Sequence, residues 1–159
     1  MPKSTSAGIL LYRLGPELQV LIAHMGGPFW ASKDAGAWSI PKGEFDEGEE
    51  SALDAATREF REELGIDPPE GPFAELGTFA YSSGKRVTVF VADGGAVSLD
   101  GLVFGEFEME WPPRSGRTQS FPEVDRAEWT TPDAARDRLV KGQRAAVDAL
   151  EAHLAAAGA

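Results

Sequence analysis

Apolar residues along the chain fall into short runs, each closed by Gly, Pro or polar turn residues. These runs predict strands at Ser6–Tyr12, Leu18–His24, Phe73–Tyr81, Arg86–Asp93 and Val103–Trp111, with a shorter one near Arg126–Trp129. In three other stretches the spacing changes to that of a helix: Ala52–Leu64, Pro132–Leu139 and Gln143–Ala157. The first has clear ends. Ser51 with Asp54 makes a capping-box arrangement, and Gly65-Ile66 followed by Asp67-Pro-Pro gives a left-handed stop that the next residues block from continuing. Thr131-Pro132 sets a hydroxyl cap before a first-turn proline at the start of the second. Strands on both sides of one early helix, closed by two terminal helices, predict an α+β fold: a mixed β-sheet covered by helices on both faces. The segments Met25–Ala37, Gly94–Gly101 and Pro112–Pro122 fit neither period. They read as surface connections or as walls of a cleft.

A chain of 159 residues without repeat or linker is expected to be a single domain, residues 1–159. The formal net charge of −11 argues against an extended nucleic-acid surface and against attraction to an anionic membrane. It does not exclude a phosphorylated small molecule, because clustered carboxylates can recruit a hard cation that then faces the phosphates. With no Cys, a disulfide scaffold or Cys-ligated metal is excluded, and a reducing, cytoplasmic setting is expected. The apolar run Gly8–Tyr12 is too short for a signal or membrane-spanning segment.

Where the acids sit decides more. In Ala52–Leu64, Leu53, Ala56, Phe60 and Leu64 form an apolar stripe, while Glu59, Glu62 and Glu63 lie away from it within reach of one another. Like charges so placed cost a helix about 0.2–0.5 kcal/mol per pair. Either the face is solvated and balanced by Arg58 and Arg61, or the carboxylates hold a divalent cation. Glu106, Glu108 and Glu110 alternate with Phe107, Met109 and Trp111, so they share one strand face. They are the wet side of a sheet, or Glu108 or Glu110 supplies a further metal ligand or base. Trp30, Trp38 and Trp111 belong to the core or stack on a base, and Lys42, Arg114 and Arg117 are surface charge or phosphate contacts. His24 and His153 show no ligand or triad spacing.

Gly43, then Glu49, then Arg58-Glu59-Phe60-Arg61-Glu62-Glu63-Leu64-Gly65-Ile66 form one string over residues 43–66. It resembles the Nudix box, the loop-helix-loop of the Nudix (MutT-like) hydrolases. The family has seven residues between the first Glu and the Arg, whereas eight separate Glu49 from Arg58. The extra residue falls around Glu50–Ser51, leaving the register from Arg58 onward intact. Of Glu49 and Glu50, Glu49 is expected to anchor the loop on Arg58, because Gly48-Glu49 continues the Pro41-Lys42-Gly43 run.

The resemblance implies a Nudix-type α/β/α sandwich and hydrolysis of a phosphoanhydride in a nucleoside diphosphate-linked substrate with Mg²⁺ or Mn²⁺. It implies Glu59 and Glu63 as main metal ligands, Glu62 as ligand or partner, the Gly43 carbonyl as a further donor, and Arg58 as the group that orients them. The Pro-Lys-Gly form with Trp38 is similar to members acting on dinucleoside polyphosphates or the 5′ end of RNA, with a nucleoside triphosphate as rival substrate. A catalytically silent Nudix-fold module that binds a nucleotide or protein is the alternative, and an acidic domain without a cleft is the third.

Overall fold

The computed structural model describes residues 5–158; Met1–Ser4 and Ala159, which the expected 1–159 domain includes, lie outside the described residues. The elements run β1 (Thr5–Arg13), β2 (Gln19–Met25), β3 (Trp38–Ser39), β4 (Lys42–Glu44), α1 (Ala52–Leu64), β5 (Ala74–Ala80), β6 (Arg86–Asp93), β7 (Glu106–Glu110), β8 (Thr118–Pro122), β9 (Val124–Thr130), α2 (Pro132–Arg138) and α3 (Arg144–Ala156). A 3₁₀ turn, Lys141–Gln143, leads into α3. The main sheet has the order β3-β2-β1-β6-β5, with β4 on β1 and β9 on β2. β1 and β6 run parallel, and the other pairs in this sheet are antiparallel. β7 and β8 form a separate hairpin.

The apolar run Ile9-Leu10-Leu11 and the run Val87–Ala92, apolar but for Thr88, follow from burial on both faces, since successive strand side chains point opposite ways. Leu10, Val20, Ile22, Val87 and Val89 meet Ala135, Leu139, Val147 and Leu150 on one side. Ile9, Leu11, Leu21 and Phe90 meet Ala55, Ala56, Phe60 and Leu64 of α1 on the other. Each fully buried Leu, Ile or Phe stabilises the fold by roughly 1.5–3 kcal/mol relative to exposure. The architecture is the expected α+β sandwich. Helix α1 ends as its sequence indicates: Ser51 Oγ accepts from Asp54 N at 3.1 Å. Gly65 adopts φ 70° and donates its N–H to the Arg61 carbonyl at 2.8 Å.

Two differences from the sequence expectation and one feature of the strand pairing position the site. The run Val103–Trp111 becomes a strand only from Glu106, because Val103 N donates to the Leu64 carbonyl at the end of α1 instead. Part of Pro112–Pro122 is strand β8, paired with β7 through Phe107–Phe121. Finally, β1 and β2 pair only at Tyr12–Val20 and Arg13–Gln19. Beyond that point they part, and β4 takes over the edge of β1 at Gly8–Lys42 and Ala7–Gly43. A Cβ on Gly8 would stand 2.6 Å from the Lys42 Cβ and the Pro41 carbonyl oxygen, so this crossing needs a glycine.

Candidate active site

A cleft of about 660 Å³ opens where β1 and β2 part. Lys42 and Gly43 of β4, Glu59, Glu62 and Glu63 of α1, and Glu123 in the single-residue link between β8 and β9 supply its polar wall. Trp30 and Phe107 are among its aromatic lining.

The approach of β4 to α1 sets the geometry. Any Cβ on Gly43 would overlap the Glu59 carboxylate, so only a glycine lets that carboxylate lie on the strand backbone. One turn further along α1, Glu63 Oε2 accepts the Lys42 backbone N–H at 3.3 Å. Burial pushes the Glu63 carboxyl up to about 8; the nearby Lys42 charge and its backbone bond oppose this, while Glu123 and Glu59 reinforce it. Burial also raises Glu59, against the hydrogen bond from Arg58. The Glu59 side chain is 13% exposed.

Arg58 gathers three carboxylates. Its Nη2 reaches Glu50 Oε1 at 2.5 Å, and its Nη1 reaches Glu59 Oε1 at 2.8 Å and Glu62 Oε2 at 3.2 Å. The hydrogen bond to Glu50 leads in raising the Arg58 guanidinium well above its ordinary value and holds Glu50 below the usual carboxylate range. The loop anchor is therefore Glu50 and not Glu49, a correction to the sequence expectation. The chain folds back after the turn in which Glu49 N and Glu50 N both bond to the Asp46 carbonyl, and Glu50 is the acid facing Arg58. The additional residue is absorbed before Ser51, and α1 keeps its register.

Lys42, Gly43, Glu59, Glu62, Glu63 and Trp30 come together in one cleft. Five residues expected at the site lie outside this cleft. Trp38 is 1% exposed, packed in the core with its indole N–H on Asp34 Oδ1 at 2.9 Å, because β3 pairs with β2 and turns the ring inward. Glu108 and Glu110 point to solvent, since the alternation of β7 turns Phe107, not the acids, towards the cleft. Arg114 and Arg117 sit in the exposed turn between β7 and β8, away from the cleft lining, with Arg114 N on Glu110 Oε1 at 2.8 Å.

The acid that sequence reasoning missed is Glu123. Its N–H donates to the Gly105 carbonyl at 2.7 Å and its carbonyl accepts from Gly26 N at 2.9 Å, which brings it to the wall facing α1. Recognising Thr118–Pro122 as a strand would have marked it as the first residue past the hairpin. His24 is buried, with Nδ1 2.7 Å from Asp125 Oδ1 and Nε2 2.6 Å from the Lys33 carbonyl, and ties down the loop that carries Trp30.

Carboxylates under this degree of burial and mutual repulsion suit a hard divalent cation, whose charge would offset both. Among the described residues, no three Asp, Glu or His side chains are gathered around one point as a ready cage. Arg58 instead holds Glu59 and Glu62 to the side. The donor chemistry, carboxylate and backbone carbonyl oxygens, fits such an ion. No helix among the described residues is long and apolar enough to cross a membrane.

A family model described as NUDIX domain matches residues 2–150. An uncharacterised 17.7 kDa protein from the e-segB intergenic region of Enterobacteria phage T4 is 36% identical over 89 residues. That match covers 55% of this chain and 58% of the phage protein, so the chain spans little more than half the length of this curated relative. The fold is similar to that of a C. elegans Ap4A hydrolase, at 21% identity and TM-score 0.60, covering 96% of this chain and 98% of the other. It is similar to the MutT protein of Methanosarcina mazei Go1 at 19% identity and TM-score 0.61, covering 96% and 95%. The NUDIX domain of Shewanella oneidensis NrtR, complexed with ADP ribose, matches at 16% identity and TM-score 0.62, covering 97% and 90%. At these identities the structural matches speak for the fold alone.

Proposed function

The chain belongs to the NUDIX family, and from that premise we propose that it hydrolyses a phosphoanhydride bond in a nucleoside diphosphate-linked substrate with Mg²⁺ or Mn²⁺ at the acidic cleft. The observation that carries this reading is the Glu59 carboxylate laid against the bare backbone of Gly43, with Glu63 beside it and raised to about 8 by burial, against the opposing charge of Lys42.

Glu59, Glu63 and the Gly43 carbonyl are the proposed holders of the cation, Glu62 a further ligand or partner, and Arg58, braced by Glu50, the group that orients them. When bound, such a cation offsets phosphate charge and acidifies water. Glu123, on the opposite wall, is proposed to take the proton from the attacking water, a role worth roughly 10²–10⁴-fold. Lys42 is proposed to meet a phosphate, and Trp30 with Phe107 to keep bulk water from the reacting end.

The proposed partner is a small nucleotide, either a dinucleoside polyphosphate or a nucleoside triphosphate. The Pro41-Lys42-Gly43 run and the likeness to a protein described as an Ap4A hydrolase support the first. A cytoplasmic setting accords with the cysteine-free sequence. A silent nucleotide-binding module is the second reading, favoured by the absence of a ready carboxylate cage among the described residues. Phosphorus NMR of purified protein incubated with dinucleoside polyphosphates, nucleoside triphosphates and nucleotide sugars separates the two. Hydrolysis predicts new monophosphate or pyrophosphate resonances in Mg²⁺ that chelation abolishes; the silent module predicts line broadening without product.

A further inference from the structure

His24 is fully buried at the centre of a small charged cluster. In the sheet it lies between Arg126 of β9 and Trp38 of β3, its partners in register. Its ring meets the Trp38 ring edge-on, with centroids 5.1 Å apart. The Arg126 and Arg138 guanidiniums lie over Trp38 at 5.1 and 5.2 Å, and Asp34 accepts the Trp38 indole N–H. The charged groups gathered around the imidazole are therefore Asp125 and Arg126 of β9, Arg138 of α2, and Asp34 in the loop before β3.

Both ring nitrogens face acceptors. Asp125 Oδ1 lies 2.7 Å from Nδ1, and the Lys33 carbonyl lies 2.6 Å from Nε2. Neither a carbonyl nor an ionised carboxylate can donate, so both contacts are hydrogen bonds only while the ring carries two N–H groups. A neutral ring satisfies one of them. The bond to the carboxylate is the stronger, so the bond a neutral ring gives up is the one to Lys33, where a bare lone pair would then face the carbonyl. Lys33 leads on to the cleft in two ways. Its N–H donates to the Trp30 carbonyl at 2.9 Å, and its ammonium group stands 5.4 Å from the centre of the Trp30 ring. Trp30 in turn lines the acidic cleft.

We propose that His24 is a positioning residue for the Trp30 wall of the cleft, and that its second proton operates the clasp. Doubly protonated, the ring holds the Lys33 carbonyl and fixes the loop over residues 26–37. Once it is singly protonated, the ring keeps Asp125 and releases Lys33, so Trp30 loses its fixed place as pH rises. The consequence for substrate rests on the nucleotide reading of the cleft: the clasped loop offers a nucleotide a fixed wall, and the freed loop does not.

The test is NMR of the full chain in chelator from pH 5 to pH 9. It follows the His24 ring nitrogens, the Trp30 indole N–H and the exchange protection of the Lys33 amide. Glu63 titrates in the same cleft, so Glu63→Gln is measured beside wild type. At pH 5 both ring nitrogens should carry hydrogen. As the ring loses one, the Trp30 indole should shift with the same midpoint in both proteins, and the Lys33 protection factor should fall about ten- to hundredfold, the loss of one hydrogen bond from a charged donor. His24→Gln, which does not titrate, should abolish the transition. Asp125→Asn, at a side chain 31% exposed, should move the midpoint to lower pH, because the carboxylate favours the charged ring. A ring whose proton count stays constant from pH 5 to pH 9, loop signals that stay fixed while the ring titrates, or a Trp30 midpoint unmoved in Asp125→Asn would overturn the proposal. None of these signals needs turnover, so their failure leaves the hydrolase reading standing, and its failure leaves the clasp intact.

Discussion

Binding of Mg²⁺ at the cleft should expel a proton, and the amount is set by Glu63. With its carboxyl at about 8, this group is roughly nine-tenths protonated at pH 7 and half protonated at pH 8 in the metal-free protein. A ligating carboxylate must be ionised, so saturation with Mg²⁺ should release about 0.9 proton per chain at pH 7, about half a proton at pH 8 and almost none above pH 9. Glu59, raised in the same direction, adds to this at lower pH. The apparent Kd should tighten about tenfold per pH unit below 8 and level off above it. Calorimetric titration in two buffers of different ionisation heat measures the proton count directly. Glu63→Gln should abolish most of the release at pH 7. Binding of Mg²⁺ at pH 7 without proton release would refute the account of Glu63 as a ligand that is protonated in the metal-free protein.

The same group sets a stability trend. The folded chain holds the Glu63 proton more tightly than the unfolded chain does, so it contributes stability below the ordinary value of 4.5 and loses it as pH rises through about 8. The Tm of metal-free protein should fall between about pH 5 and pH 9 and stay flatter in Glu63→Gln or in saturating Mg²⁺. Gly43→Ala places a methyl group into the Glu59 carboxylate, so Mg²⁺ affinity should drop about 10–100-fold, checked by titration, while the circular dichroism spectrum is retained. Glu50→Gln should lower the urea midpoint and cut kcat about tenfold by freeing Arg58, and Glu49→Gln should leave both unchanged. Glu123→Gln should reduce kcat by about 10²-fold or more, with Glu108→Gln and Glu110→Gln within twofold of wild type. Leu150→Ala, on the buried face of α3, should cost about 2–5 kcal/mol in urea unfolding.

The elements that build the sandwich were legible because each carries its own local physics. Ser51 and Gly65 bound α1, and Arg86–Asp93 is a strand whose apolar run is long enough to be buried on both faces. Short strands such as Trp38–Ser39 and Lys42–Glu44 were not, since two or three residues show no period, and their pairing depends on where β1 and β2 part. The acidic face of α1 could be placed from spacing alone. Glu123 could not, because it reaches the cleft through backbone bonds to Gly105 and Gly26, far from it in sequence. Glu108 and Glu110 illustrate the converse: their alternation was read correctly, but which face of the hairpin meets the cleft is a tertiary fact. Trp38 followed the usual fate of a large aromatic beside a strand, and the choice of Glu50 over Glu49 turned on the path of one loop.

The central claim is that the carboxylates of α1 serve catalysis through a divalent cation. It is tested most directly by the rate of nucleoside monophosphate release from a dinucleoside polyphosphate or nucleoside triphosphate in Mg²⁺, compared between wild type and Glu63→Gln at equal, verified folding. The account predicts steady turnover by wild type, none in chelator, and a loss of about 10³-fold or more in the variant, equivalent to several kcal/mol of transition-state stabilisation. Turnover by Glu63→Gln within twofold of wild type, or no product from any nucleotide with wild type, would contradict it.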